Sequence, residues 1–186
     1  MPNLKNILKR ISKILAKAKS KKTLNGYALI GGFAVSARAK PRATRDIDFL
    51  IEAEPDFYTD TLPNLLKKTD YTFKIFISSF EDPLHKLIRI YDKERNEVVD
   101  LIPVFWNWQS AIIENADNIE VSRGISIPIA KAEDLIVMKL KAGGPQDLVD
   151  VRALLEALNE TKKFNPQKMI EFAKRAKVDK KLQRLI

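Results

Sequence analysis

Two aspartates separated by one residue, Asp46 and Asp48, stand at the start of the apolar run IDFLIE, which is typical of a buried strand. Side chains alternate between the two faces of a strand, so both carboxylates are predicted to point the same way, about 6.8 Å apart. Like charges held side by side repel, and this cost is usually tolerated where a cation neutralises them. Carboxylate oxygens together with substrate phosphates suit Mg²⁺. The alternative is an ordinary surface Asp-x-Asp pair.

Two consecutive glycines, Gly31 and Gly32, follow the apolar run YALI and precede a segment of helical character over 33–39. A backbone without side chains lets a phosphate approach closely, and the free N–H groups at the start of a helix attract it. We therefore expect the glycine turn and the carboxylate pair to form two halves of a nucleotide-phosphate site. A glycine pair also occurs in simple tight turns, so the pair alone is weak support.

A third acid, Asp100, lies within EVVDLIPV, a run apolar enough for a central strand. An ionised side chain in such a strand is costly unless it is paired or bound to a metal. If this strand neighbours IDFLIE, the three carboxylates can hold two cations for in-line displacement at phosphorus. The alternative is that Asp100 accepts hydrogen bonds at a sheet edge.

Two arginines in the segment PRATRD, Arg42 and Arg45, separate the glycine turn from the carboxylate pair. They are close enough in sequence to reach phosphates bound at the glycines. The alternative, which the sequence leaves equally open, is a surface ion pair with Glu52 or Glu54.

The elements that must position these residues follow from local patterns. Apolar residues at helical spacing predict an N-terminal helix, at Leu4, Ile7, Leu8, Ile11, Ile14, Leu15 and Ala18. Strands are predicted at 27–30, 47–52 and 71–77, with a hairpin of 84–91 and 97–104. Helices are predicted at 33–39, at 57–69 with Asp56 as cap, at 131–144, at 145–159, and at 166–177 with Asn165 as cap. The only histidine, His85, is predicted to be a half-buried sheet residue. The order of elements indicates a mixed sheet followed by a helical bundle.

The charge is unevenly distributed along the 186 residues, whose formal net charge is +9. Residues 1–22 carry +8 and residues 162–186 carry +7, which leaves the middle at −6. Such basic ends can bind phosphate backbones, but the favoured interpretation is that they are solvated faces of amphipathic helices. The chain has no cysteine and no apolar run of 18 residues, so we expect no disulfide, no membrane span and a cytoplasmic location.

The stretch GGFAVSARAKPRATRDIDFLI, followed by VVDLI, resembles the signature of the DNA polymerase beta-like nucleotidyltransferase superfamily. It is most similar to the small prokaryotic branch that includes abortive-infection and toxin-type nucleotidyltransferases. The resemblance covers residues 27–104. It implies an α+β fold, a nucleotidyltransferase-like mixed sheet flanked by helices with a C-terminal helical bundle. Residues 1–130 would form the catalytic core with its basic N-terminal helix, and 131–186 a helical region packed on it.

The resemblance also implies roles for individual residues. Catalytic and metal-binding roles, with Mg²⁺ or Mn²⁺ as cofactor, fall on Asp46, Asp48 and Asp100. Nucleotide-binding roles fall on Gly31, Gly32, Arg42, Arg45, Lys139, Asp147 and Asp150. Gly144 and Gln146 depart from the branch, which often has basic residues there, so neutralisation of the triphosphate is in question. Asp147 and Asp150 also suit the first turns of a helix, where negative charge is favourable.

Three functions are compatible with these features. The leading one is metal-dependent transfer of an NMP from an NTP to a hydroxyl of RNA, protein or a small molecule, with a toxin-like role and an antitoxin partner protein as further implications of the resemblance. The second is a noncatalytic relative that binds a nucleotide or a partner. The third is a nucleic-acid-binding module that uses the basic terminal helices.

Overall fold

A seven-stranded mixed sheet forms the centre of the computed structural model, which describes residues 4–77, 86–94, 96–161 and 165–186. The strands are β1 (Leu24–Ile30), β2 (Ile47–Ala53), β3 (Thr72–Ile77), β4 (Lys86–Tyr91), β5 (Glu97–Pro103), β6 (Asp117–Ser122) and β7 (Ile125–Ile129). Their order in the sheet is β3-β4-β5-β2-β1-β7-β6. The pairs β2/β5 and β1/β7 are parallel and the other neighbours are antiparallel. The predicted α+β fold with a mixed sheet is confirmed.

Helices pack on the sheet and form a bundle near the C-terminus. They are α1 (Leu4–Ser20), α2 (Gly31–Arg38), α3 (Leu62–Leu66), α4 (Asn107–Asn115), α5 (Ala132–Ala142), α6 (Pro145–Thr161), α7 (Pro166–Arg175) and α8 (Asp179–Gln183). A π-helical turn, Phe57–Thr61, precedes α3. In the part of the chain that the structure describes, no helix is long and apolar enough to cross a membrane. Helix α5 packs against α2, α6, α7 and α8, and the buried apolar residues of both halves of the chain form one core cluster.

Local sequence signals position several helix boundaries as predicted. α1 buries the predicted apolar stripe against the core, including Ile11 and Leu15. α5 ends at Gly143, whose φ of 75° is the left-handed conformation that glycine adopts without strain. The Asn165 side chain accepts a hydrogen bond from the Lys168 N–H and caps α7.

One predicted helix cap needs correction, and several short elements were not predicted. Asp56 makes no capping hydrogen bond, because its backbone is already helical (φ −69°, ψ −16°) and it therefore lies inside the first turn. The sequence patterns gave no assignment for α4, β6, β7 or α8, which are short and weakly periodic. His85 and the predicted first residues of its strand lie outside the described residues.

Asp134, a buried acid at the start of α5, interacts electrostatically with four charged side chains. It is 6% exposed, and its Oδ2 is the one buried side-chain oxygen or nitrogen in the described part of the chain without a hydrogen-bond partner. Burial and then the nearby Glu133 raise the pKa of Asp134 to about 7, and Asp117 adds to the rise, whereas Lys131 and Arg38 oppose it. A helix N-terminus favours a carboxylate, so desolvation outweighs the dipole here.

We expect Asp134→Asn to stabilise the protein at pH 8 and to change little at pH 4. The folded state holds this proton up to about pH 7, whereas the unfolded chain releases it near 3.8, so stability falls as pH rises through this window. The neutral asparagine removes that loss, which amounts to at most about 4 kcal/mol at pH 8. Denaturant unfolding of both proteins between pH 4 and pH 8 measures it, and a constant difference across the range would contradict the prediction.

Candidate functional site

Strand register brings two of the three predicted acids together. Asp48 of β2 pairs with Asp100 of the parallel strand β5, so the two carboxylates are neighbours on one face of the sheet. On its other side Asp48 pairs with Ile30, the last residue of β1, and Gly31 begins α2 directly after it. The glycine turn, Asp48 and Asp100 therefore lie side by side, as the sequence predicted for two halves of one site.

The Asp48 carboxylate lies in an environment that disfavours its charge. Burial raises its pKa most, and the negative charges of Asp100 and Asp46 raise it further, to about 6. Lys139 and Arg89 oppose the shift without cancelling it. A cation bound here would lower the free energy of the ionised carboxylate, so this residue type and setting fit a divalent metal ion.

Asp46 occupies a different environment from the one its sequence spacing suggested. β2 begins at Ile47, so Asp46 lies one residue outside the strand, and it is exposed. It is still near enough to Asp48 to influence its pKa. Within the described residues, however, no three acids, histidines or cysteines are grouped closely enough to hold a metal ion. The strand alternation used to align Asp46 with Asp48 therefore does not apply, and Asp46 would have to move to complete the set.

The third acid, Asp100, forms an ion pair with Arg89, a residue that its sequence pattern did not mark as part of the site. Arg89 of β4 is the register partner of Asp100, and its Nε and Nη2 donate to the two carboxylate oxygens at 2.8 and 2.9 Å. This bidentate pair neutralises Asp100 and contributes a positive charge that also lowers the pKa of Asp48. Alternation in KLIRIY places Arg89 on a sheet face, but only the strand register reveals its partner.

Gly31 is required at its position by two separate constraints. Its φ of 66° is left-handed, and a Cβ at this residue would overlap the Asp48 carboxylate. The space around Gly32 is also too small for a side chain, since a Cβ there would lie 2.6 Å from Thr44 Oγ1 and 3.0 Å from Arg42 Nη2. The glycines thus allow the acid and the PRATRD segment to pack directly on the start of α2.

Gly31→Ala is expected to destabilise the protein more than Gly124→Ala, which serves as the matched control. Gly124, in the turn between β6 and β7, has a similar φ of 71°, and a Cβ there would meet no described atom within 4 Å. Both changes incur backbone strain of about 1–2 kcal/mol, and only Gly31→Ala adds the overlap with Asp48, worth roughly 1–3 kcal/mol more. Denaturant unfolding of the two variants gives the difference, and equal losses would rule out the close approach.

A second cluster joins the glycine-turn segment to the helical bundle. Arg42 donates from Nε and Nη2 to the two oxygens of Asp150 at 2.7 and 2.8 Å. Lys139 Nζ lies 2.7 Å from Asp147 Oδ1 and 3.0 Å from Asp150 Oδ2. Gln146 adds a hydrogen bond to Asp150, which is 1% exposed. We call Arg42, Lys139, Gln146, Asp147 and Asp150 the α5–α6 charge network.

The network holds Lys139 and Asp150 in their charged forms. Burial alone would lower the pKa of Lys139, but hydrogen bonds to Asp147 and Asp150 outweigh it and raise that pKa. Burial alone would raise the pKa of Asp150, but hydrogen bonds from Arg42, Lys139 and Gln146 lower it. Four of the predicted nucleotide-binding residues therefore lie together, and they neutralise one another.

The two arginines of PRATRD differ in their contacts. Arg42 pairs with Asp150, 108 positions along the chain, and not with Glu52 or Glu54, so the alternative of a surface pair with either glutamate does not apply to this residue. The Glu52 carboxylate accepts from Ser110 Oγ instead, and that of Glu54 from Asn25 Nδ2. Arg45 is exposed, and it forms no ion pair within the described part of the chain.

This arrangement defines a class of protein with a nucleotidyltransferase-like fold. Over residues 13–184 the chain matches the family model described as "Nucleotidyl transferase AbiEii toxin, Type IV TA system". The chain therefore belongs to the AbiEii nucleotidyltransferase family, a member of the superfamily that its motifs resemble, and nucleotidyl transfer is the kind of activity this family supports. No curated protein shows significant sequence similarity to the chain.

Solved structures of similar fold include nucleotidyltransferases. The solution structure of the antibiotic-resistance factor ANT(2'')-Ia has 17% identity and a TM-score of 0.51, covering 97% of this chain and 95% of that one. A nucleotidyltransferase-like protein from Paracoccidioides brasiliensis has 18% identity and a TM-score of 0.49, covering 94% and 92%. The lincosamide adenylyltransferase LnuA has 17% identity and a TM-score of 0.46, covering 80% and 96%. At 17% identity the similarity to ANT(2'')-Ia concerns the fold alone.

Proposed function

We propose that the protein transfers a nucleoside monophosphate from an NTP to a hydroxyl acceptor in a divalent-metal-dependent reaction, and that it acts as a cytoplasmic toxin with an antitoxin partner protein. The observation that carries the enzymatic part is the register of Asp48 with Asp100 beside the Gly31 turn. The family description, a toxin of a Type IV TA system, supports the biological part.

In this proposal the residues of the site bind the triphosphate, hold the metal ions and accept the proton of the hydroxyl. The N–H groups of Gly31 and Gly32, at the start of α2, bind the triphosphate. Asp48 and Asp46, together with Asp100, would hold the metal ions, and the exposed Arg45 would contact the phosphates. The bound Mg²⁺ or Mn²⁺ would supply charge neutralisation at phosphorus and a lower pKa of the acceptor hydroxyl.

The reaction itself is a displacement at the α-phosphorus. The acceptor oxygen forms a bond to phosphorus, the bond to the β-phosphate oxygen breaks, and pyrophosphate leaves. Asp100 accepts the hydroxyl proton, for which it must release one oxygen from Arg89. The Arg42–Asp150 pair holds the segment that begins at Arg42 against α6, and the Lys139–Asp147 pair joins α6 to α5, which together orient the segment that leads to the acids.

A transfer assay with α-labelled NTPs tests this function and identifies the acceptor class. Label is expected to enter one of three pools, total RNA, total protein or small molecules, only when Mg²⁺ or Mn²⁺ is present. Release of pyrophosphate in the same samples excludes simple binding. Label that enters no pool with any NTP or metal, while nucleotide still binds, would favour the noncatalytic alternative.

That second candidate, a nucleotide- or partner-binding relative without turnover, has its own support. Arg89 already occupies both oxygens of Asp100, and Gln146 stands where the branch often has a basic residue. If Arg89 substitutes permanently for a metal, the site would bind without reacting. The affinity for metal decides between the two readings.

Arg89→Gln is expected to tighten Mn²⁺ binding about tenfold, or ~1.4 kcal/mol, in the catalytic reading. The substitution removes a positive charge from the site and frees both Asp100 oxygens, while keeping an unbranched polar side chain. Calorimetry with Mn²⁺ and a non-hydrolysable NTP analogue measures the change. Arg123→Gln, at an exposed turn, is the matched control and should bind like the parent protein. Unchanged or weaker binding by Arg89→Gln would identify Arg89 as a permanent partner of Asp100.

A further inference from the structure

A cleft beyond the end of β5 combines aromatic rings with positive charge. Its volume is about 480 Å³, and its lining residues are Phe105, Trp106, Asn107, Trp108 and Arg175. The Trp106 and Trp108 rings stack with centroids 6.0 Å apart and planes 14° from parallel. Phe105 stands edge-on to Trp106 and is 42% exposed, whereas Trp108 is buried. Trp108 therefore packs in the core.

Positive charge surrounds these rings. Lys141 Nζ lies 5.1 Å from the Trp106 ring centroid, and Arg175 follows Lys174 in the last turn of α7. No acid is among the residues described as lining the cleft. The C-terminal segment 162–186, to which Arg175 belongs, carries a net charge of +7. Flat apolar faces and cations together match a ligand that alternates bases with phosphates, whereas an acidic peptide would satisfy only the cations.

The cleft shares its supporting elements with the candidate active site. Phe105 follows Asp100 by five residues along the chain that leaves β5, a span of at most about 17 Å. On the bundle side, α5 carries both Lys139 of the charge network and Lys141 of the cleft. A strand of a few nucleotides is long enough to span that distance.

We propose that this aromatic cleft, lined by Phe105, Trp106, Trp108 and Arg175 with Lys141 beside Trp106, binds single-stranded nucleic acid. A base stacks on the exposed ring of Phe105, and Lys141 and Arg175 contact the adjoining phosphates. Calling the bound strand the acceptor rests on the proposed function, whereas binding itself does not require nucleotidyl transfer.

Intrinsic tryptophan fluorescence can report this binding without an added label. Its two tryptophans are both in the cleft, so intrinsic tryptophan fluorescence reports on this place alone. Titration with a ten-nucleotide oligoadenylate RNA, in EDTA and without NTP, is expected to quench the emission saturably. Inorganic polyphosphate of matched charge should bind without comparable quenching, because it has no bases to stack. No quenching by the RNA at low salt would overturn the proposal.

Matched variants separate stacking from charge. Phe105→Ala is expected to weaken binding roughly 5- to 150-fold, and Phe105→Tyr to restore it. Phe76→Ala, in β3 and 43% exposed, removes an equally exposed phenylalanine elsewhere and should bind like the parent protein. Equal losses for the two alanine variants would contradict a specific stacking site.

Salt dependence tests the two cations. Changing Lys141 and Arg175 together to Gln should reduce the slope of log K against log[salt] by about 1.4. The control pair, Lys9 and Lys13 changed to Gln on the exposed face of α1, should leave the slope unchanged. An equal effect of the control pair would assign binding to the basic surface in general and overturn the cleft.

One further variant keeps this inference distinct from the proposed function. Asp48→Asn should bind the RNA as tightly as the parent protein, because it alters neither the rings nor the cations of the cleft. Transfer that fails in the parent while binding persists would remove the proposed activity only. Transfer to RNA that is unaffected by Phe105→Ala and by the change of Lys141 and Arg175 would remove the cleft only.

Discussion

Replacement of Asp48 by asparagine is expected to reduce nucleotidyl transfer about a thousandfold or more while making the folded protein more stable at neutral pH. The loss of activity follows from the loss of a charged metal ligand, since metal-held charge stabilisation is worth several kcal/mol in the transition state. The gain in stability follows from the electrostatics of the site. Asp48 is half-buried beside Asp100 and Asp46, and desolvation together with these charges raises its pKa to about 6.

The sign of the stability change depends on pH. The folded state retains the Asp48 proton up to about pH 6, whereas the unfolded chain loses it near 3.8, so the ionised carboxylate destabilises the folded state above this window. The asparagine variant should therefore gain up to about 3 kcal/mol at pH 7.5 without metal, and almost nothing at pH 4. Adding Mn²⁺ and an NTP analogue should stabilise the parent protein and not the variant.

Thermal and denaturant unfolding with and without metal, together with the transfer assay, measure these effects. Asp56→Asn is the matched control, because Asp56 is an exposed aspartate whose side chain makes no capping hydrogen bond. It should change neither activity nor metal-dependent stabilisation. A less stable Asp48→Asn protein that retains transfer would instead give Asp48 a structural role.

Asp150→Ala should produce the largest loss of stability among single changes in the α5–α6 charge network, about 3–5 kcal/mol. Asp150 is 1% exposed and accepts hydrogen bonds from Arg42, Lys139 and Gln146, so its removal leaves two cations without their shared counter-charge. Asp147→Ala is the comparison. Its side chain is 20% exposed and bonds only Lys139 and the Gly144 N–H, so we expect a loss of roughly 1–2 kcal/mol.

A double-mutant cycle tests whether this loss comes from the Arg42–Asp150 pair. Arg42→Met combined with Asp150→Leu removes the bidentate pair and replaces it with apolar side chains, and it should recover part of the stability that Asp150→Ala loses. Denaturant unfolding of the two single variants and the double variant gives the coupling free energy, expected to exceed about 1 kcal/mol. Additive losses would show that the two residues do not form an energetically coupled pair.

The sequence alone determined the features that depend on neighbouring residues. The apolar period of α1, the left-handed glycine after α5 and the Asn165 cap are local, because each needs only a few consecutive residues to satisfy its hydrogen bonds or bury its stripe. The turn of Gly31 and Gly32 and the acid at Asp48 were likewise identified from type and spacing. Membership of the nucleotidyltransferase class follows from their order along the chain.

Only the tertiary structure decided which charges meet. Asp100 lies beside Asp48 and opposite Arg89 because of the register of three strands, and register is set by the packing of whole strands, which local spacing does not encode. Arg42 pairs with Asp150, 108 positions away, because the packing of α5 and α6 buries Asp150 close to segment 42–46. A buried carboxylate is costly without a counter-charge, and Arg42 provides it. Local periodicity fixes where a helix or strand forms, but desolvation couples charges that are distant in the chain, and that coupling exists only once the core has formed.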